Sequence, residues 1–388
     1  VGAKYRVLVV CNDSDYFLRH RLSVVTHLSS IGVEAAVMAG GVPIDASRID
    51  GWNYVHMPIE RFRFAPFGDA ALMIQTAQII RRMRPQAVHL ITLKPAIFGG
   101  FISIVSRLLH GYPKRILITL PGLGRMLSVP KALGERRYPV ANFLTRLACR
   151  AMAGFKCVHF TFETHHDYAF WTAWEVATPQ NASVIDGVGV DPALFHPAPI
   201  PRTEGKTRVL FASRLLKSKG LNAFLMMAKQ LAGRAELEFI VAGLSGDNDP
   251  DAISPQQLSQ LDEIRFLGNV DNMPDLLREC DIVCLPTRYG EGIPRILIEA
   301  AATGLASIAS DHPGCREAVE DGITGEIVPT SSDSDMCRDM SAAVLGYIET
   351  PARLAAHKLA AYRRFRSREF NEKAVVARFV DLLGVGSE

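Results

Sequence analysis

The 388-residue sequence predicts an α/β protein built from two successive Rossmann-like domains, each organised around a parallel sheet. Three observations carry that expectation. Short apolar runs alternate with longer helix-period stretches, a proline-rich break interrupts them near mid-chain, and the same alternation then restarts. Alternation of this kind marks βαβ units, because parallel strands need a crossover that is usually a helix.

Arg6 to Val10 reads as the first buried strand, followed by one helix from about Tyr16 to Ile31 and a strand from Val33 to Met38. Ala87 to Ile91, Arg115 to Thr119 and Cys157 to Phe162 are further strands, with helical periodicity over 69–84, 96–109 and 138–153. Between about 186 and 206, Gly187 and Gly189 precede Pro192, Pro197, Pro199 and Pro201, and charged residues run to Lys206, which is linker composition. The pattern resumes with strands at Arg208–Ala212, Leu237–Ala242, Ile264–Leu267, Ile282–Leu285, Ala306–Ala309 and near Glu326–Val328. Helices are expected at 219–232, 273–279, 294–303, 333–348, 352–366 and 372–383. The expected domains are therefore 1–186 and 207–369, joined by 187–206, with a terminal helix at about 370–388 packing back on the first. Ligands of such sheets bind beyond the carboxyl ends of the strands, so the cleft between the domains is the expected site.

Charge is divided unequally. Residues 1–185 carry 21 Lys and Arg against 11 Asp and Glu, a net +10, whereas the remainder carries a net −7. A basic half suits an anionic partner or is a solvated face. The longest strongly apolar stretch, Ala96 to Leu109, has 14 residues and contains Arg107, short of the roughly 20 needed to span a bilayer. The N-terminal residues run directly into a strand pattern and do not read as a signal peptide. Seven cysteines, mostly in apolar runs, fit buried thiols in a reducing compartment. A cytoplasmic location is expected.

Two segments carry chemistry. In Gly290-Glu291-Gly292-Ile293-Pro294 through Glu299, the two glutamates are separated by seven residues. Glu291 falls on the loop beyond strand 282–285, and Pro294 suits the first turn of the next helix. Backbone N–H groups around Gly292 and Ile293 then face outward at a helix N-terminus, a setting for a diphosphate. The alternative is an ordinary strand–loop–helix unit with surface glutamates. Arg214 and Lys219 lie on the loop after strand 208–212, placed to neutralise phosphates, Arg in bidentate fashion and Lys as a point charge. The alternative there is a basic turn capping a helix.

Taken together, Arg214 and Lys219, the Glu291 and Glu299 pair, Gly187-Val-Gly-Val-Asp191, Ile264 to Asp271, and Asp311 to Glu317 with Asp321 to Gly325 resemble the retaining glycosyltransferases of family 4. The resemblance spans nearly the whole chain, most strongly 207–330. Phe17-Leu-Arg-His-Arg21, Val88-His89 with Lys94-Pro95, and Gly122-Leu-Gly124 resemble the bacterial branch that builds lipid-linked surface polysaccharides such as lipopolysaccharide, capsule or exopolysaccharide. The resemblance implies the GT-B fold, two Rossmann-like domains facing each other across a deep cleft. It implies that Arg214 and Lys219 bind the donor diphosphate, that Glu291 holds the transferred sugar while Gly292, Ile293 and Pro294 meet the phosphates, and that Glu299 takes the ribose. Gly268, Asn269 and Val270 would line the base pocket. No metal or other cofactor is implied, because fixed cations and helix N-termini stabilise the leaving group.

Candidate acceptor or phosphate contacts are Lys94, His89, Arg19, His20, Gly122 and Gly124. Relatives often carry a histidine two residues after the His89 position or just before Gly122-Leu-Gly124, where this chain has Ile91 and Pro121. His89, inside an apolar strand, suits a core role better than a catalytic one, and Lys94 beyond that strand is the stronger candidate. The partners implied are a nucleotide sugar and a polyprenyl-diphosphate-linked glycan, with peripheral contact to the anionic inner face of the cytoplasmic membrane. UDP-sugar is the favoured donor, with GDP-mannose the alternative.

Other signals are weaker. Asp13-Ser-Asp15 imitates a metal-binding Asp-x-Asp but suits helix capping. His165-His166 lacks an evident third ligand, and Phe170, Trp171 and Trp174 suit core packing. Arg61 to Phe67, Arg81 to Arg84 and the cations of 125–150 (Arg125, Lys131, Arg136, Arg137, Arg146, Arg150) supply the basic excess; no nucleic-acid recognition motif accompanies them. A dinucleotide-dependent oxidoreductase would need a Gly-x-Gly-x-x-Gly turn after the first strand, which Val10 to Asp15 lacks. Phosphorylases and epimerases sharing the GT-B plan, and a non-catalytic sugar-nucleotide sensor, are the remaining alternatives.

Overall fold

The computed structural model describes residues 4–57, 66–122, 139–199, 205–245, 251–288, 290–367 and 370–386. Of the residues singled out above, 61–65, Gly124, Arg125, Lys131, Arg136, Arg137 and Pro201 lie outside them. The described residues of Val1–Leu127, Arg137–Val188 and Lys373–Glu388 form one compact unit and those of Gly189–Glu372 another.

In the first unit, seven strands form one parallel sheet in the order β3-β2-β1-β4-β5-β6-β7. They are β1 (Arg6–Cys11), β2 (Glu34–Ala39), β3 (Asn53–His56), β4 (Ala87–Ile91), β5 (Arg115–Leu120), β6 (Val158–Phe162) and β7 (Ala182–Val184). Val9 sits opposite Val37 on one side and His89 on the other, so His89 lies mid-strand near the centre of the sheet. Helices flank both faces, as continuous apolar strands require. One core packs Leu8, Val88 and Ile118 with Ile104 and Met152 of helices Gly100–His110 and Pro139–Ala153. The other packs Val7, Val9 and Leu117 with Phe17, Leu28 and Phe379, the last from helix Glu372–Leu383.

The second sheet has the order β10-β9-β8-β11-β12-β13, again parallel throughout. Its strands are β8 (Thr207–Ala212), β9 (Leu237–Ala242), β10 (Arg265–Gly268), β11 (Ile282–Leu285), β12 (Ala306–Ser310) and β13 (Gly325–Val328). The segment expected as a linker contributes to this unit, since Val190 and Phe195 are buried in its core.

Three departures from the sequence pattern have local causes. β3 and β7 were not anticipated: β3 has no fully buried residue and β7 is three residues long, so neither shows an apolar run. The helix expected from Tyr16 to Ile31 is two helices, Ser14–His20 and Leu22–Ser30, broken at Arg21, whose side chain turns inward. The stretch from 96 begins as a π-helical turn, Pro95–Gly99, before regular helix resumes at Gly100. Asp13 caps the first helix by accepting from the Tyr16 N–H at 2.7 Å, the capping role expected of it. No described helix is long and apolar enough to cross a membrane.

Candidate functional site

In the second unit, the strand order changes direction between β8 and β11, the topological switch point of a doubly wound sheet. Lys219 follows β8 and Glu291 follows β11, so both stand at the carboxyl edge on either side of that point. The Lys219 Nζ donates to Glu291 Oε2, and the Thr287 hydroxyl donates to Glu291 Oε1 at 3.3 Å. Lys219 is 5% exposed, while the Glu291 side chain is 23% exposed. An ammonium this enclosed persists only because a carboxylate faces it. Arg214, half-buried, shares the Lys219 loop.

That loop is fixed from two directions. Asp251 Oδ2 accepts from the Ser218 N–H at 2.7 Å, and the Ile253 N–H donates to the Leu215 carbonyl at 2.7 Å. From the β11 side, the Arg288 N–H donates to the Ser218 carbonyl at 2.7 Å. The Arg288 guanidinium is anchored to Asp333 at 2.6 Å and to the Ser331 carbonyl at 3.0 Å. Arg288 therefore ties the two loops together one residue before Lys219 and three before Glu291. Nothing in the sequence distinguishes it from any loop arginine, since its partner Asp333 lies 45 residues further on.

Gly220, directly after Lys219, has φ +80, and a Cβ there would lie 2.0 Å from the Pro286 carbonyl oxygen. Gly220→Ala is expected to destabilise the second unit by about 3 kcal/mol, from left-handed strain and steric overlap together. Urea unfolding followed by circular dichroism measures this; an unmoved midpoint would mean that the Pro286 loop yields freely.

The Glu291 loop leads into helix Arg295–Thr303. Pro294 is the residue before that helix (φ −62°, ψ 118°), not within its first turn as expected: its ψ is extended. Gly292 and Ile293 precede it, with Ile293 buried. Gly314 packs so closely that a Cβ there would lie 1.9 Å from the Gly292 carbonyl oxygen. Glu299, 8% exposed, accepts from Arg295 Nε at 2.8 Å. At the same sheet edge Gly268 ends β10, and its carbonyl accepts from the Gly243 N–H at 2.7 Å. Asn269 is exposed and donates to Asp271, while Val270 packs on the core. Cys315, fully buried beside Glu291 and Lys219, is pushed up to about 12, first by burial and then by the Glu291 charge, so it remains a thiol.

The first-unit candidates separate into groups. Lys94, after β4, pairs with the nearly buried Asp69 at 2.8 Å. Gly122 lies just past the carboxyl end of β5. Arg19 is exposed and pairs with Asp15, and the His20 ring lies 4.4 Å from that of Tyr16, both in the last turn of helix Ser14–His20. His89 takes the core role that the sequence favours for it over an acceptor contact. It is 1% exposed, its Nε2 is 2.7 Å from the Thr119 hydroxyl, and its ring packs on Phe379. Burial first, and the Arg21 charge second, push it down to about 3. It is a neutral interior residue that an acceptor cannot touch.

Two further first-unit features carry no sequence pattern. Thr92, at the end of β4, has φ +73, unusual for a β-branched residue, and its buried hydroxyl has no hydrogen-bond partner. Arg21 and Glu163 form a buried ion pair at 2.8 Å.

Residues 195–357 match the family described as Glycosyl transferases group 1. Among curated proteins, a phosphatidyl-myo-inositol mannosyltransferase of Mycolicibacterium smegmatis is 34% identical over 184 residues, 45% of each chain. An N,N'-diacetylbacillosaminyl-diphospho-undecaprenol alpha-1,3-N-acetylgalactosaminyltransferase of Campylobacter jejuni is 30% identical over 169 residues, 41% of this chain and 44% of that one. The chain thus spans about half the length of the curated relatives it matches. Among solved structures, Anabaena Alr3699/HepE in complex with UDP-glucose superposes with a TM-score of 0.71 at 16% identity, covering 97% of this chain and 99% of that one. The second unit thus resembles the group 1 glycosyl transferases over residues 195–357, and the two parallel-sheet units have the fold of GT-B glycosyltransferase neighbours.

Proposed function

We propose that the protein is a retaining, family 4 glycosyltransferase that moves a hexose or N-acetylhexosamine from a nucleotide sugar to a polyprenyl-diphosphate-linked glycan in bacterial polysaccharide assembly. The observation that carries this reading is the enclosed Lys219–Glu291 pair at the switch point. A donor diphosphate competes with Glu291 for the Lys219 ammonium, and Arg214 adds a second cation to the same anion. The carboxylate so released accepts hydrogen bonds from hydroxyls of the transferred sugar. The N-terminus of helix Arg295–Thr303 adds its dipole, and Glu299 takes the ribose. These fixed charges stabilise the leaving nucleotide without a metal, and its phosphate removes the acceptor proton as the acceptor attacks on the same face.

A UDP-sugar is favoured as donor, in keeping with the fold shared with a UDP-glucose complex. The Campylobacter relative, named for a diphospho-undecaprenol substrate, supports the lipid-linked acceptor. The Mycolicibacterium relative, named a mannosyltransferase, favours GDP-mannose as the second reading of the donor. The acceptor is assigned to the first unit, through Lys94 and Gly122, at the inner face of the cytoplasmic membrane.

Thermal-shift titration of the purified protein with UDP, GDP, ADP and NAD tests the reading. At a hundredfold excess over Kd, the matching nucleotide is expected to raise the midpoint by about 5–10 °C. Selective stabilisation by GDP would move the donor to GDP-mannose, and stabilisation by NAD alone would overturn the transferase.

A further inference from the structure

We infer that helix Pro139–Ala153 of the first unit is a docking element for an anionic phospholipid bilayer. This gives the proposed membrane contact a location, and it rests on that contact, not on the transfer chemistry.

The helix presents Val140, Phe143, Leu144 and Leu147 at 52–70% exposure. Their spacing of i, i+3, i+4 and i+7 puts them on one stripe, the arrangement that normally faces a core. The opposite stripe already fills that role, with Thr145, Cys149 and Met152 buried. The helix is thus apolar on both sides, and the outer side meets solvent. Beside it in the same core, helix Gly100–His110 exposes Phe101, Leu108 and Leu109.

Charge identifies the occupant. Residues 70–162 contain 14 Lys and Arg and a single acidic residue, Glu135. Past the C-terminal end of the stripe lies a cavity of about 780 Å³ lined by Lys114, Arg115, Arg150, Lys156 and His159, with Glu175 its one carboxylate. Glu175 is paired with Arg150. A second copy of this chain would bring the same cations against them, so charge disfavours self-association. Arg146 is held by the Phe170 and Trp174 rings, its guanidinium carbon 4.7 and 3.8 Å from their centroids, which braces the helix from within the unit. An apolar stripe ending in a basic cavity matches an interface whose acyl region takes the stripe and whose anionic headgroups take the cations.

Co-sedimentation of the full chain with phosphatidylcholine vesicles, with and without phosphatidylglycerol, is the test. Phosphatidylglycerol is expected to tighten binding at least tenfold, with the gain lost in high salt. Phe143→Ser with Leu147→Ser should weaken binding to the mixed vesicles at least tenfold without moving the melting temperature, because both side chains are exposed. Lys114→Gln with Lys156→Gln should reduce the phosphatidylglycerol preference alone. Wild-type binding that the serine variant retains, absence of vesicle binding, or a wild-type dimer that the serine substitutions dissolve would each overturn the proposal. Nucleotide stabilisation of the serine variant reads the transferase separately, so failure of one does not imply failure of the other.

Discussion

In the proposed reaction, Lys219→Ala is expected to slow sugar transfer by about two to three orders of magnitude, the loss typical when a preorganised charge facing the transition state is removed. The leaving nucleotide gains negative charge as the glycosidic bond breaks, and a cation held 5% exposed acts on it through little intervening water. Lys219→Arg should not restore the rate, because the planar guanidinium fork cannot serve as the compact point charge that Lys219 supplies. Glu291→Gln keeps the shape but removes the charge that receives hydroxyl donors, and a loss of similar order is expected. The double variant should be little worse than either single one, since the two side chains act as a pair. The fold survives Lys219→Ala, because Glu291 retains access to water when its partner is removed, whereas Glu291→Gln leaves the enclosed ammonium facing an amide and is expected to lower stability as well as rate. Initial rates of nucleotide release, with circular dichroism to verify folding, make the measurement. A Lys219→Ala rate within about threefold of wild type would remove Lys219 from the chemistry.

The second-unit site was legible because its parts are short-range. Glu291 and Glu299 belong to one loop and the helix it opens, and Arg214 and Lys219 belong to one strand-to-helix loop. Parallel topology alone then puts both loops at one sheet edge. What was not legible depends on partners distant in sequence. Arg288 becomes a tie between loops only through Asp333 and Ser218. His89 could be read as core or catalytic until Thr119 and Phe379 were seen to enclose it. Thr92 carries no pattern at all, because a left-handed threonine is a property of the backbone, not of its neighbours in sequence. The break at Arg21 was missed for a related reason. Helical periodicity continues across it, and only a carboxylate 142 residues away draws the side chain inward.

That carboxylate sets the largest stability effect expected in the first unit. Arg21 is 1% exposed; its Nη2 donates to Glu163 Oε1 and its Nη1 to the His20 carbonyl, each at 2.8 Å, and its guanidinium carbon lies 5.0 Å from the Phe379 ring centroid. Burial opposes the charge, but Tyr16 and Glu163 outweigh it and hold the guanidinium above its usual pKa. Arg21→Ala or Glu163→Ala strands the other charge without solvent, which is expected to cost about 3–5 kcal/mol. Replacing both, as Arg21→Met with Glu163→Leu, removes the stranded charge and fills the space, so most of the loss should be recovered. All three tryptophans, Trp52, Trp171 and Trp174, belong to the first unit, so their fluorescence follows this unit's unfolding. Each single variant should lower the urea midpoint of that signal by about 2 M, and the double variant by much less. Single variants that unfold with the wild type would mean that water reaches the pair, and that the break between the first two helices is held by Phe17, Leu28 and Phe379 packing alone.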